Sequence, residues 1–120
     1  MKRDWDLIRT ILEQVESLPD TDSVLSPSGD EDHTAEEEAY QYQLLIDAGL
    51  AKGVIFESSG GPLHGQLFSL TWQGHELLDA IRNDTIWNDV KKTAKQKGLG
   101  LTFDLIGTLA KSAILGLLAP

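Results

Sequence analysis

Apolar positions over residues 2–17 recur at helical spacing. Trp5, Leu7, Ile8, Ile11, Leu12, Val15 and Leu18 fall on one half of a helical wheel. Arg3, Asp6, Arg9, Thr10, Glu13 and Glu16 fill the other half, and Pro19 ends the pattern. The periodicity disappears over residues 19–34, where Pro, Gly, Ser and Asp dominate. That stretch predicts a loop anchored only by Val24 and Leu25, as a short strand. A second helix is predicted to start at Thr34 or Ala35. Glu36, Glu37 and Glu38 lie in its first turn, at the positive end of the helix dipole. Ala39, Leu44, Leu45 and Ala48 supply its packing groups. Gly49 occupies the left-handed position past its end, and Leu50 folds back as the apolar partner.

The pattern then changes to β. Val54, Ile55 and Phe56 make one strand and residues 66–71 return as another. The turn-rich tip, residues 58–65, contains Gly60, Gly61 and His64. The returning strand runs straight into a helix. Thr71 is positioned to cap it, and Leu77, Leu78 and Ile81 give it a buried side over residues 72–82. A fourth helix over residues 85–97 turns Ile86, Trp87, Val90 and Ala94 inward and stops at Gly98. Lys91, Lys92, Lys95 and Lys97 form the one basic cluster, which reads as a solvated helix end or a phosphate-binding patch.

Together these elements predict an α+β fold. It is a winged helix-turn-helix domain with a β-hairpin wing, over residues 1–98, followed by an added hydrophobic helix over residues 99–120. The loop at residues 19–34 occupies the place where a helix-turn-helix carries its short second helix. In the last helix, capped by Thr102, apolar side chains wrap most of the circumference. Asp104 and Lys111 cut its apolar run below the ~20 residues that a membrane span needs. Burial in protein is therefore expected, on the domain or in a homodimer. Phe103, Ile106, Leu109, Ile114 and Leu117 form the self-association face.

Charge narrows the possible partners. The 120 residues hold 10 basic and 19 acidic side chains, a net charge of -9. Phosphate backbones attract basic proteins, so this balance disfavours DNA without excluding it. The absence of cysteine removes disulfides and thiolate metal sites. The first residues carry no apolar run behind Lys2 and Arg3, so no secretory signal is expected and the location expected is cytoplasmic.

Little points to catalysis. His75-Glu76 has Asp79, not His, four residues after the histidine, so the zinc-protease pattern fails. His33 sits among acids without the spacing of a calcium loop, and Gly60-Gly61 lacks the following Lys-Ser/Thr of a phosphate loop. No enzyme, metal or cofactor is expected. The recognition surface would instead comprise Asp30, Glu31, Asp32, Glu36, Glu37, Glu38, Tyr40, Gln41 and Gln43. Gln41 and Gln43 suit adenine edges, whereas the carboxylates repel phosphates. Two functions stay open. One is a non-catalytic module that binds protein through this acidic surface, imitating the charge of nucleic acid and inhibiting a host nucleic-acid-handling or defence complex. The other is a dimeric winged-helix transcription regulator.

The segments MKRDWDLIRTILEQVE, YQLLIDAGLAKG and LTWQGHELLDAIRNDTIWNDVK resemble the bacterial and phage family known as domain of unknown function 2513. The resemblance implies a winged-helix domain and a home in a prophage or mobile element. It implies no established activity. Residues 28–38 depart from it by being longer and more acidic.

Overall fold

The computed structural model describes residues 1–57 and 59–119. Among the described residues, five helices and one two-stranded antiparallel sheet give an α+β chain. It divides into two compact units, Met1–His75 and the residues from Glu76 onward. The sequence pattern placed the division at residue 98; by compactness it falls earlier, and the fourth helix packs with the fifth.

Helix α1 (Trp5–Glu16) buries Leu7, Ile8, Ile11, Leu12 and Val15, as its periodicity predicts. It begins three residues later than expected. Asp4 is extended and caps the helix, its Oδ1 accepting the Leu7 N–H at 3.1 Å. The following loop, residues 17–34, contains no helix. Its Leu25 bridges to Leu67, donating its N–H at 2.9 Å and accepting the Leu67 N–H at 3.0 Å.

Helix α2 (Ala35–Asp47) starts on a reciprocal cap. Thr34 Oγ1 accepts the Glu37 N–H at 3.1 Å, and Glu37 Oε1 accepts the Thr34 N–H at 3.3 Å. Its C-terminal end closes on Gly49, which at φ +74° supplies the left-handed residue. The Gly49 N–H bonds to the Ile46 carbonyl and the Leu50 N–H to the Leu45 carbonyl, so two end carbonyls are satisfied and Leu50 turns inward.

Strands β1 (Ala51–Phe56) and β2 (His64–Leu70) form the hairpin. Leu67 and Leu70 are both buried although three apart, which a regular strand forbids because successive side chains alternate faces. The register resolves this. Lys52 pairs with Ser69 and Gly53 with Leu67, so Phe68 is the extra residue of a β-bulge and points to the exposed side.

Helix α3 (Trp72–Ile81) follows without a loop. Thr71 Oγ1 accepts the Gly74 N–H at 3.1 Å and donates to the Gly49 carbonyl at 2.6 Å. One hydroxyl thus caps α3 and ties it to the end of α2. Gly74 is required by proximity: a Cβ there would lie 2.0 Å from the Leu50 carbonyl oxygen. Leu77, Leu78 and Ile81 are buried.

In the second unit, helix α4 (Asp84–Gln96) is capped by Asn83 and buries Ile86, Trp87, Val90 and Ala94, the four residues its pattern predicts. Its end repeats that of α2, with Gly98 bonded to Lys95 and Leu99 to Ala94. Helix α5 (Phe103–Leu118) starts on Thr102, whose Oγ1 accepts the Leu105 N–H at 3.1 Å. The tail was expected to run to Pro120, which lies outside the described residues. No helix among the described residues is long and apolar enough to cross a membrane.

Candidate functional site

The acidic residues ahead of α2 sit on a loop held at three points. His33 Nε2 lies 3.1 Å from Asp4 Oδ2. Asp30 Oδ1 accepts the backbone N–H groups of His33 at 2.7 Å and Asp32 at 2.8 Å. Glu38 Oε1 accepts the Gly29 N–H at 2.6 Å. Asp4 therefore does two jobs, capping α1 with one oxygen and meeting the imidazole with the other. Burial works against the charged form of His33. The hydrogen bond and charge of Asp4, with the charges of Asp30 and Glu37, outweigh it and raise the pKa above the ordinary value. The backbone donors of His33 and Asp32 lower the pKa of Asp30, so its carboxylate persists into acid.

This arrangement sorts the expected recognition residues. Asp30, Glu31, Asp32 and Glu36 are exposed. Glu37, Tyr40 and Gln43 are half-buried, Glu37 being part of the helix cap. Glu38 and Gln41 are not on the exposed side where the sequence pattern placed them. They are 8% and 2% exposed. Glu38 is drawn in by the Gly29 amide. Gln41 is drawn in by the first residues of the chain: its Oε1 accepts the Asp4 N–H at 2.9 Å and its Nε2 donates to the Lys2 carbonyl at 3.0 Å. Those two bonds hold Lys2 and the extended Asp4 ahead of α1, outside the helix. Gln41 is therefore a structural residue and no longer a candidate base reader.

Three other expectations change. His64 belongs to β2, paired with Phe56 and stacked on its ring at 5.7 Å, and so is not at the hairpin tip. The tip retains Gly60 at φ +77° and the exposed Gly61; its expected first residue, Ser58, lies outside the described residues. On α5, Ile106 is fully buried and leaves the self-association face. Phe103 and Leu117 are exposed and Leu109 and Ile114 half-buried, while Leu115 and Leu118, which were not expected, are exposed as well.

Asp4 and His33 are the site residues that local pattern does not disclose. They are 29 positions apart, and nothing in either neighbourhood announces the other. His33 was conspicuous only for the acids around it.

An acidic loop pinned to a capped helix, ahead of a two-stranded hairpin, defines a small α+β protein with a net negative charge. The chain belongs to the family described as "Hypothetical protein (DUF2513)", whose profile matches residues 2–100. It is 45% identical over 120 residues to an "Uncharacterized protein" of Haemophilus influenzae (strain ATCC 51907 / DSM 11121 / KW20 / Rd). That match covers 99% of this chain and 100% of the relative. No solved structure matches.

Proposed function

We propose that this chain is a non-catalytic protein-binding module, built on a winged-helix-like scaffold, whose acidic surface engages a basic partner. The observation that carries the reading is the division of charge. Met1–His75 contains four basic and fourteen acidic side chains, whereas the rest of the chain contains six and five. The whole negative excess thus lies in the unit that holds α2 and the hairpin. Between Thr10 and Thr71 the single Lys or Arg is Lys52. Phosphates approached from this side would meet like charge, and a lysine- or arginine-rich protein surface would meet its complement.

The winged-helix-like reading is supported by element order. A helix, a strand contact at Leu25, a second helix and a hairpin follow in turn, and β2 lies between Leu25 and β1. The partner chemistry that fits is a phosphate-binding surface of another protein, which the carboxylates of Asp30, Glu31, Asp32 and Glu36 would occupy in place of nucleic acid. Self-association through the exposed Phe103, Leu115, Leu117 and Leu118 of α5 belongs to the same proposal.

The test compares the wild-type chain with a Glu31→Lys, Asp32→Lys, Glu36→Lys variant in pull-downs from native cells and in gel shifts on random duplex. Glu37 and Glu38 stay in place because they hold the helix cap and the Gly29 amide. A partner recovered by the wild type and lost by the variant, with no duplex binding, supports the proposal. Duplex binding that weakens steeply with salt replaces it with a DNA-binding regulator. Light scattering on the same samples reads self-association, which Leu117→Asp should abolish; a monomeric wild type removes that part.

A further inference from the structure

The bulge in β2 has a second consequence. It turns Phe68 outward, to 38% exposure, at the edge of an open groove of about 410 Å³ within the first unit. The groove lies between the end of α1, the turn after Pro19 and the bulge. Val15 and Leu18 contribute its apolar side, Phe68 an aromatic wall, and Glu16 and Asp20 the charge. Asp20 is held in a fixed pose. Its Oδ1 accepts the Asp22 N–H at 3.0 Å, the Ser23 N–H at 2.8 Å and the Ser23 hydroxyl at 2.7 Å, all through one oxygen. Glu16 Oε2 stands 4.0 Å from His75 Nδ1, at the same rim.

We propose that this groove receives an arginine side chain of a protein partner. The occupant follows from complementarity. A partly exposed aromatic ring and two carboxylates lining one groove match a planar cation, which stacks on the ring and pairs with a carboxylate. The apolar side accommodates the methylene stem. The surplus of ten carboxylates in this unit raises the local concentration of cations and repels anionic ligands. Arginine is favoured over lysine because a compact ammonium gains less from the Phe68 ring. The inference deepens the protein-binding reading and rests on it, but it concerns a different surface from residues 30–36.

The experiment titrates the full ¹⁵N-labelled chain with acetyl-Gly-Arg-Gly-amide and, in parallel, with the isosteric citrulline peptide, following backbone amide shifts. Saturable shifts confined to residues 15–23 and 68–75 are expected for the arginine peptide alone. Asp20→Asn keeps an oxygen for its three donors, and Phe68→Ala removes an exposed ring. Each should weaken binding about threefold, the scale of one exposed ion pair or cation–π contact, while Glu36→Gln should not. Shifts spread over residues 30–37, an equal response to citrulline, or indifference to both groove variants would overturn the assignment. If the groove fails while the Glu31, Asp32 and Glu36 reversal still abolishes partner capture, this inference falls alone. If the groove binds and that reversal changes nothing, the site stands and the acidic-loop reading falls.

Discussion

Helices α2 and α4 have the same length and the same ends, and their interiors are built on opposite principles. Each has 13 residues, a side-chain cap at its start and a Gly-Leu pair whose backbone N–H groups bond to its end carbonyls, with Leu50 buried and Leu99 exposed. The buried side of α4 is Ile86, Trp87, Val90 and Ala94, all apolar and all at helical spacing. The buried side of α2 is Glu38, Ala39, Gln41, Tyr42 and Leu45, three of which carry polar atoms inside. Helix α4 satisfies its surroundings by excluding water. Helix α2 does so by finding, far along the chain, donors and acceptors for Glu38 and Gln41. The acidic surface is narrower in consequence, because two of its expected members are used to hold the fold.

Substitution separates the two principles most sharply at Trp87 and Gln41. Trp87→Ala leaves a large void at a side chain 1% exposed and should cost about 3–5 kcal/mol in urea unfolding. Gln41→Met keeps the volume and adds apolar character, so a hydrophobic pattern ranks it as neutral or favourable. We expect it to cost about 1–2 kcal/mol instead, because the Asp4 N–H and Lys2 carbonyl lose their partners. Faster amide exchange at residues 2–7 would accompany the loss. A Gln41→Met variant as stable as wild type would show that the two bonds are replaced by water without penalty.

The same contrast explains what was legible in the sequence. Elements defined by their own residues could be read: the buried stripes of α1 and α4, the glycine ends of α2 and α4, and the Thr71 and Thr102 caps. The strand-to-helix junction was visible because Thr71 and the apolar residues after it are consecutive. Features that depend on a distant partner were not visible. The inward turn of Gln41 requires Lys2 and Asp4, and that of Glu38 requires Gly29. The bulge at Phe68 arises because two leucines three apart must share one face, a conflict that residue types state and only the pairing with Lys52 and Gly53 resolves. Of the candidate site, the exposed carboxylates were readable as charge, whereas the His33–Asp4 contact that pins them was not.

That contact makes a smaller, pH-dependent prediction. The folded pKa of His33 is raised above the ordinary 6.5, so its contribution to stability is full below that value and is lost as pH rises through the folded pKa. His33→Gln should remove the dependence. Urea midpoints between pH 6 and 9 should therefore show the wild type ahead at the acid end by about 0.5 kcal/mol, the scale of a partly exposed ion pair, with the two curves converging at the alkaline end. Subtracting the variant cancels whatever the two proteins have in common. Curves that stay parallel would mean that the imidazole meets Asp4 only as a neutral donor.

The smallest effect tests the polar interior of α2 from the other side. Tyr42 is fully buried, and its hydroxyl has no hydrogen-bond partner among the described residues. Burial, with the nearby Glu38 charge, pushes its pKa up, so the phenol stays protonated. Glu38 and Gln41 each lose bonds when replaced, but Tyr42→Phe removes a polar atom that gains nothing from its position. Stability should be unchanged or rise by about a few tenths of a kcal/mol, since a buried polar group without a partner carries its desolvation cost uncompensated. A fall of more than about 1 kcal/mol would place Tyr42 with Glu38 and Gln41, as a third polar side chain of α2 whose partner holds the unit together.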